Sequence, residues 1–431
     1  MTRPLRVRGR RGPLAGDVVV PGDKSIAHRA LLLAALAEGT SVVRGIPGGA
    51  DVAATLAAVR TLGAATRRDG DTAEIDGRGL ALGEGVDVAI DCANSGTTMR
   101  LGAGLVAGRR GRRTLDGDAS LRRRPMERVA EPLRRMGATI RSTEGHAPLE
   151  IEGGDLQGIT WTLPVASAQV KSAILIAALY ASAGPTTVIE PHPTRDHTER
   201  MFAELGVRVR RTAKSVSVWP VDRLPPLDVE ISGELSSAAP LITAAVLLNG
   251  SELILRGVNV NPLRTGLLDV LDRMGARIAV FNRRTVAGEP VADLEVRSTP
   301  LVATAVEAEE VPRLVDELPL VALLGAFAHG STVVRGAEEL RAKESDRIET
   351  VTEGLRAAGV RIEPRPDGFE VRGTPARPRG GKIDARGDHR VAMLGAITGL
   401  VSREGVDLVD PDCVAISFPG FFELVDQLVQ R

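Results

Sequence analysis

The stretch PGDKSIAHRALLLAALAEG, Pro21–Gly39, combines a turn, a cluster of charged and polar side chains and an apolar run. Pro21-Gly22 is turn chemistry. Ala30 to Ala37, reading ALLLAALA, predicts a buried helix, and Glu38-Gly39 predicts its end, with Gly39 as the cap. Lys24, Ser25 and Arg29 then fall in the loop and first turn, where free backbone N–H groups and the helix dipole favour anions. Cations at that end oppose the dipole. A bound anion explains them; a solvated basic helix start explains them too.

The same design recurs along the chain. Each unit is an apolar helix, a β-branched strand, an amphipathic helix ending at a glycine, and two short strands. Later units begin near Asn94, Ser167, Leu235, Glu317 and Asp388. Gly63, Gly137, Gly206, Gly275 and Gly359 mark a period of about 70 residues, longer than solenoid repeats. The sixth unit lacks its last strands, and Arg6–Gly9 is a spare strand that can complete it. The expected fold is α/β: two domains of three αβ modules, an inside-out arrangement with the apolar helices buried and strands and second helices outside. Residues 1–20 and 228–431 are expected to form one domain and 21–227 the other, with Leu224-Pro225-Pro226-Leu227 as a linker. A ligand in the cleft between such domains is the default expectation.

Composition narrows the function. The 431 residues are 43% apolar and 26% charged, with a formal net charge of zero. That balance suits a globular protein and supplies no general field for nucleic acid or membrane. Only ten residues are aromatic, which argues against base-stacking surfaces. Cys92 and Cys413 make no metal-ligand spacing and fit a reduced, cytoplasmic setting. The first residues, MTRPLRVRGRRG, lack an apolar signal core, so export is not expected. Only five of the 55 basic residues are lysine, which draws attention to Lys24 and Lys343 as compact, tunable cations.

Further clusters lie at or near helix starts. Asn94-Ser95-Gly96-Thr97 offers capping hydroxyls and a glycine that lets a ligand approach the backbone. Arg122-Arg123-Arg124-Pro125 precedes a helix, with Pro125 suited to its first position. Ser167-Ala168-Gln169 is a neutral phosphate cradle, and Thr194-Arg195-Asp196-His197 opens another helix. Thr194 is read as a cap, Arg195 as a phosphate ligand and His197 as structural. Asp316-Glu317 either complements a dipole or supplies a general base. Lys343 and Arg347, at i and i+4, are expected to share a helix face, with Glu344 pairing locally. Asp388-His389-Arg390 repeats the pattern. Lys24, Arg29, Arg124, Arg195, Lys343, Arg347 and Arg390 show few local partners in sequence, as polyanionic ligands would require. Walker A, dinucleotide, metal-cluster and Ser-His-Asp signatures are not visible.

PGDKSIAHRA, NSGTTMRL, LRRRPMERV, DELP, KESDRI, DHRVAM and SFPGF, in that order and spacing, resemble the 5-enolpyruvylshikimate-3-phosphate synthase family across essentially the whole chain. The resemblance implies transfer of the enolpyruvyl group of phosphoenolpyruvate to the 5-hydroxyl of shikimate 3-phosphate, with release of phosphate. It assigns Ser25 and Arg29 to the shikimate carboxylate, and Ser167, Ala168 and Arg195 to the phosphate. Gln169 packs on the ring and also borders phosphoenolpyruvate, and Asp316 and Lys343 contact ring hydroxyls. Lys24 touches both substrates, while Gly96, Arg124, Arg347 and Arg390 bind phosphoenolpyruvate. Asp316 is implied as the base, and Glu344 and Lys24 as candidates for protonating the methylene carbon. No metal or organic cofactor is implied, and a cytoplasmic monomer is expected.

The chain departs from the family pattern at Ala27, Ala93 and Thr194, and VAISFPGF lacks a further substrate-binding lysine found in some relatives. The sister enzyme acting on UDP-N-acetylglucosamine has Lys-Asn in place of Lys24-Ser25 and a loop cysteine, which DGDASLRRRP lacks. A binding protein for acidic metabolites is the non-enzymatic alternative. The space beside Gly96 leads us to expect glyphosate to compete with phosphoenolpyruvate.

Overall fold

The computed structural model describes residues 4–10 and 12–429. Residues 1–3, 11, 430 and 431, which the expected domain boundaries include, lie outside the described residues. The chain divides into two compact units. The first holds Met1–Pro21, Gly233–Arg284 and Pro290–Arg431; the second holds Gly22–Ser232 and Thr285–Glu289.

The second unit contains helices α1 (Lys24–Leu36), α2 (Ala50–Thr61), α3 (Gly96–Ala107), α4 (Ala119–Arg122), α5 (Glu127–Met136), α6 (Ala168–Ala178) and α7 (His197–Glu204). The first contains α8 (Leu235–Leu247), α9 (Gly266–Arg273), α10 (Leu318–Phe327), α11 (Arg347–Ala357), α12 (His389–Val401) and α13 (Phe421–Val429). The apolar helices α1, α3 and α6 fill the core of one unit, and α8, α10 and α12 that of the other. All residues of α12 are buried, as its lack of any polar face requires. Close helix contact depends on small residues: a Cβ on Gly104 of α3 would lie 2.8 Å from Ala173 Cα of α6.

Among the described residues, the second unit has three four-stranded sheets, and the first has two such sheets and one of three strands. In each, a short strand lies parallel to the strand that follows a buried helix, the geometry of a βαβ crossover. The strand just before α1, Ala15–Val19, pairs with Glu252–Asn259 of the first unit, and Asp228–Glu230, just before α8, pairs with Glu38–Arg44 of the second. Each of these strands thus belongs to the other unit than the helix it precedes in sequence. The repeat reading lacked this fourth strand, because pieces as short as Ala305–Val306 carry no alternation signal. Leu5–Val7 pairs with Val406–Val409 and completes the last sheet.

Three local expectations are corrected. Helix α1 ends at Leu36, and Ala37 turns straight into strand Glu38–Arg44, so Gly39 is a strand residue and not a cap. Pro125 precedes the N-cap, Met126, instead of opening α5. Leu224 and Leu227 do not form a free linker: their carbonyls accept from Glu38 N (2.9 Å) and Val42 N (2.8 Å). The glycines after the amphipathic helices do terminate them; Gly63, Gly137, Gly206, Gly275 and Gly359 all have positive φ.

Candidate active site

In the second unit, Asp23 caps α1 by accepting from Ser25 N (2.7 Å) and Ile26 N (3.1 Å). Capping fixes Lys24 as the first helical residue, and its Nζ lies 3.2 Å from Asp51 Oδ2. Asp51, in the first turn of α2, also faces His28 Nε2 at 3.9 Å. Burial alone would raise the Asp51 pKa; Lys24 and His28 outweigh it and hold the carboxyl far below its ordinary range.

One helical turn further, Arg29 is 2% exposed and donates to Ser25 O (2.7 Å), Thr198 Oγ1 (2.8 Å) and Ser172 Oγ (2.7 Å). Burial pulls its pKa down to about 10 against the favourable charges of Glu199 and Asp23, so it remains a cation at neutral pH. Ser167 caps α6, placing Ala168 N and Gln169 N at a free helix start. Arg195 is half-buried and lies close enough to Arg29 for repulsion between the two guanidiniums.

A second group surrounds the start of α3. Ser95 is its cap, and Gly96 its first residue. A Cβ on Gly96 would lie 2.8 Å from Arg100 Nη1 and 3.2 Å from Arg124 Nη1. Arg100 Nη1 donates to Gln169 Oε1 (2.6 Å), whose amide donates to Thr97 Oγ1 (2.9 Å). Two guanidiniums, a glycine and a fixed amide therefore border one small region, suited to a compact anion.

The first unit carries a carboxylate-rich network. Arg347, 2% exposed, pairs with Asp388 Oδ2 (2.8 Å), Glu344 Oε2 (2.7 Å) and Asp316 Oδ1 (3.4 Å). Burial would lower the Arg347 pKa, but Asp388, Glu344 and Asp316 raise it; Asp388 is held low in turn, its burial outweighed by Arg347. Asp316 Oδ2 faces Arg264 Nη1 at 3.7 Å, and Arg264 donates to Ser236 Oγ (2.7 Å). Arg390 Nη1 donates to Ser236 O (3.1 Å).

These contacts correct several expectations. Lys343 and Arg347 do have local partners, Glu339 and Glu344, and the fold adds distant ones, Asp51 for Lys24 and Asp388 for Arg347. Helix α11 begins at Arg347 with Asp346 as its cap, so Lys343 sits outside it and shares no helix face with Arg347. Lys343 Nζ instead meets Glu339 at 3.0 Å. Asp316 and Glu317 lie just before α10, and buried Glu317 accepts from the Ser236 hydroxyl. Thr194 does not cap α7; its hydroxyl donates to Glu190, and Asp196 is the N-cap residue. His197 is buried against Glu289 (2.7 Å), in keeping with a structural part.

Asp51, Arg100 and Arg264 escaped the sequence reading. Arg100 lies one turn after Gly96, a spacing that puts both on one face. Asp51 occupies the first turn of α2, a place where an acid suits the helix dipole and so carries no mark of a distant partner. Burial pushes the thiols of Cys92 and Cys413 up to about 12, so neither is a ready nucleophile. No group of His, Cys, Asp and Glu among the described residues is placed to hold a metal ion.

The fold is shared with the enolpyruvyl transferase NikO from Streptomyces tendae, which has a TM-score of 0.79 over 99% of this chain and 97% of its own, at 22% identity. The EPSP synthase (3-phosphoshikimate 1-carboxyvinyltransferase) family model matches residues 9–425. The 3-phosphoshikimate 1-carboxyvinyltransferase of Geobacter sulfurreducens is 47% identical over 97% of each chain. That of Desulforudis audaxviator is 48% identical over 98% of this chain and 99% of its own. EPSP synthase from Acinetobacter baumannii has a TM-score of 0.90 and 38% identity, covering 99% of this chain and 98% of its own. The chain belongs to the EPSP synthase family.

Proposed function

We propose that the protein transfers the enolpyruvyl group of phosphoenolpyruvate to the 5-hydroxyl of shikimate 3-phosphate, giving 5-enolpyruvylshikimate 3-phosphate and phosphate. Family membership supports the reaction. The observation that carries the residue assignment is Gly96 bordered by Arg100 and Arg124, a place for a small anion with no side chain in the way.

In this reading Lys24, Gly96, Arg124, Gln169, Arg347 and Arg390 bind phosphoenolpyruvate, with Arg100 holding Gln169 in place. Ser25 and Arg29 take the shikimate carboxylate. Ser167, Ala168 and Arg195 take the phosphate, with Gln169 against the ring and Lys24, Asp316 and Lys343 on the acceptor. A monomeric state and a cytoplasmic location belong to the same proposal. No helix among the described residues is long and apolar enough to cross a membrane.

The chemistry follows from charge. Asp316 takes the 5-hydroxyl proton as the oxygen bonds to C2 of phosphoenolpyruvate, while Glu344 or Lys24 protonates C3 to a methyl group. Breaking C2–O then expels phosphate, and loss of a C3 proton restores the double bond. The cations lower both barriers by holding charge that is already in place.

The test is product identity. Incubation with both substrates should yield one enol ether per phosphate released, seen by mass spectrometry. UDP-N-acetylglucosamine in place of shikimate 3-phosphate should yield none. Ether formation on the sugar nucleotide, or no ether at all, would overturn the proposal.

A further inference from the structure

Lys171 is the most deeply buried of the five lysines. It sits one turn after Ser167 on α6, is 1% exposed, and is absent from every substrate assignment above. Its Nζ meets Glu199 Oε1 of α7 at 2.8 Å, Glu190 Oε2 at 3.1 Å and the Thr194 carbonyl at 3.2 Å. Glu190 in turn accepts from Thr194 N (3.2 Å) and from the Thr194 hydroxyl. One ammonium thereby joins three pieces of backbone: helix α6, the loop 190–196 that bears Arg195, and helix α7. The neighbouring residues, Ser172 and Thr198, are the hydroxyls that hold Arg29.

A lysine buried among two carboxylates is costly to desolvate, and an apolar residue fills such a place at least as well. Stability alone therefore gives no reason for it. A fixed separation does. The cradle at Ser167–Gln169 comes from α6, and Arg195 comes from the loop. Two of its bonds reach the loop, at Glu190 and the Thr194 carbonyl, and one reaches α7 at Glu199, so sliding the loop against α6 breaks a charge-assisted hydrogen bond.

We propose that Lys171 is a positioning residue for the phosphate subsite, holding the Arg195 loop at a set distance from the start of α6 before ligand arrives. It touches no substrate. Its effect is specificity for a phosphorylated acceptor, because preorganised donors reward the phosphate and leave the rest of the ring unaffected. The inference rests on the reading in which Ser167, Ala168 and Arg195 bind the 3-phosphate.

The experiment compares kcat/KM for shikimate 3-phosphate and for unphosphorylated shikimate in the wild type, Lys171→Met, Glu190→Gln and Ser167→Ala, with thermal melts of each. For Lys171→Met and Glu190→Gln we expect kcat/KM for shikimate 3-phosphate to fall about tenfold or more. That for shikimate should stay within about threefold, so the preference collapses while KM for phosphoenolpyruvate holds. Glu190→Gln keeps the Lys171–Glu199 pair and carries the test alone if Lys171→Met does not fold. Equal losses with both acceptors, or a lowered Tm with the preference intact, overturn the inference. A wild type without preference for the phosphorylated acceptor, or a Ser167→Ala enzyme that keeps it, overturns the underlying phosphate assignment instead.

Discussion

Lys24 Nζ lies 3.2 Å from Asp51 Oδ2, and that carboxylate is 9% exposed. A residue assigned to substrate is thus aimed by an acid from the next helix. Asp51 is held below its ordinary range, so the stability it contributes is complete above the unfolded carboxylate value, about 3.9, and is lost as pH falls through the folded one. Asp51→Asn should cost about 1–3 kcal/mol at pH 7. The gap to wild type should shrink below about pH 4 in urea unfolding. A gap unchanged in acid would contradict the pairing.

Gly96→Ala places a methyl group 2.8 Å from Arg100 Nη1 and 3.2 Å from Arg124 Nη1. Both neighbours are flexible side-chain ends, so the protein should fold while the guanidiniums move. KM for phosphoenolpyruvate should rise, and competition by glyphosate should weaken, each by about tenfold or more, the scale of one misplaced methyl. Steady-state inhibition gives both numbers, and a glyphosate inhibition pattern that is not competitive with phosphoenolpyruvate would count against the assignment.

Arg347→Met strips the counter-charge from Asp388, which is fully buried. Breaking such a pair should cost about 3–5 kcal/mol in denaturant unfolding. Adding Asp388→Asn should restore part of that stability without restoring phosphoenolpyruvate affinity. Recovery of both would show that Arg347 only serves the fold.

Asp316→Asn keeps the shape beside Arg264 and Arg347 but removes the basic oxygen. The expected loss in kcat is about 10²–10⁴-fold, with KM for either substrate changed little. A variant with near wild-type kcat would assign the proton to another group.

The six buried helices were legible because no polar stripe interrupts ALLLAALA or its counterparts. The parallel strands were not: two or three residues such as Thr160–Thr162 draw their stability from the sheet, not from local pattern. Helix α11 shows a signal overlooked. Asp346 and Glu349 have the spacing of a capping box, which starts the helix at Arg347 and excludes Lys343. Partners far apart in sequence, such as Arg264 for Asp316 or Arg100 for Gln169, carry no local mark at all. Asp316, Glu344 and Asp388 stood out in the sequence, but most of the pairs they make did not, and cations looked unpaired that the fold in fact clasps.

The most direct test of the central claim is the initial rate of phosphate release from phosphoenolpyruvate, with and without shikimate 3-phosphate. Two polyanions satisfying one set of cations predicts rapid release only when both are present. Release at the same rate from phosphoenolpyruvate alone, or none with both, would contradict it.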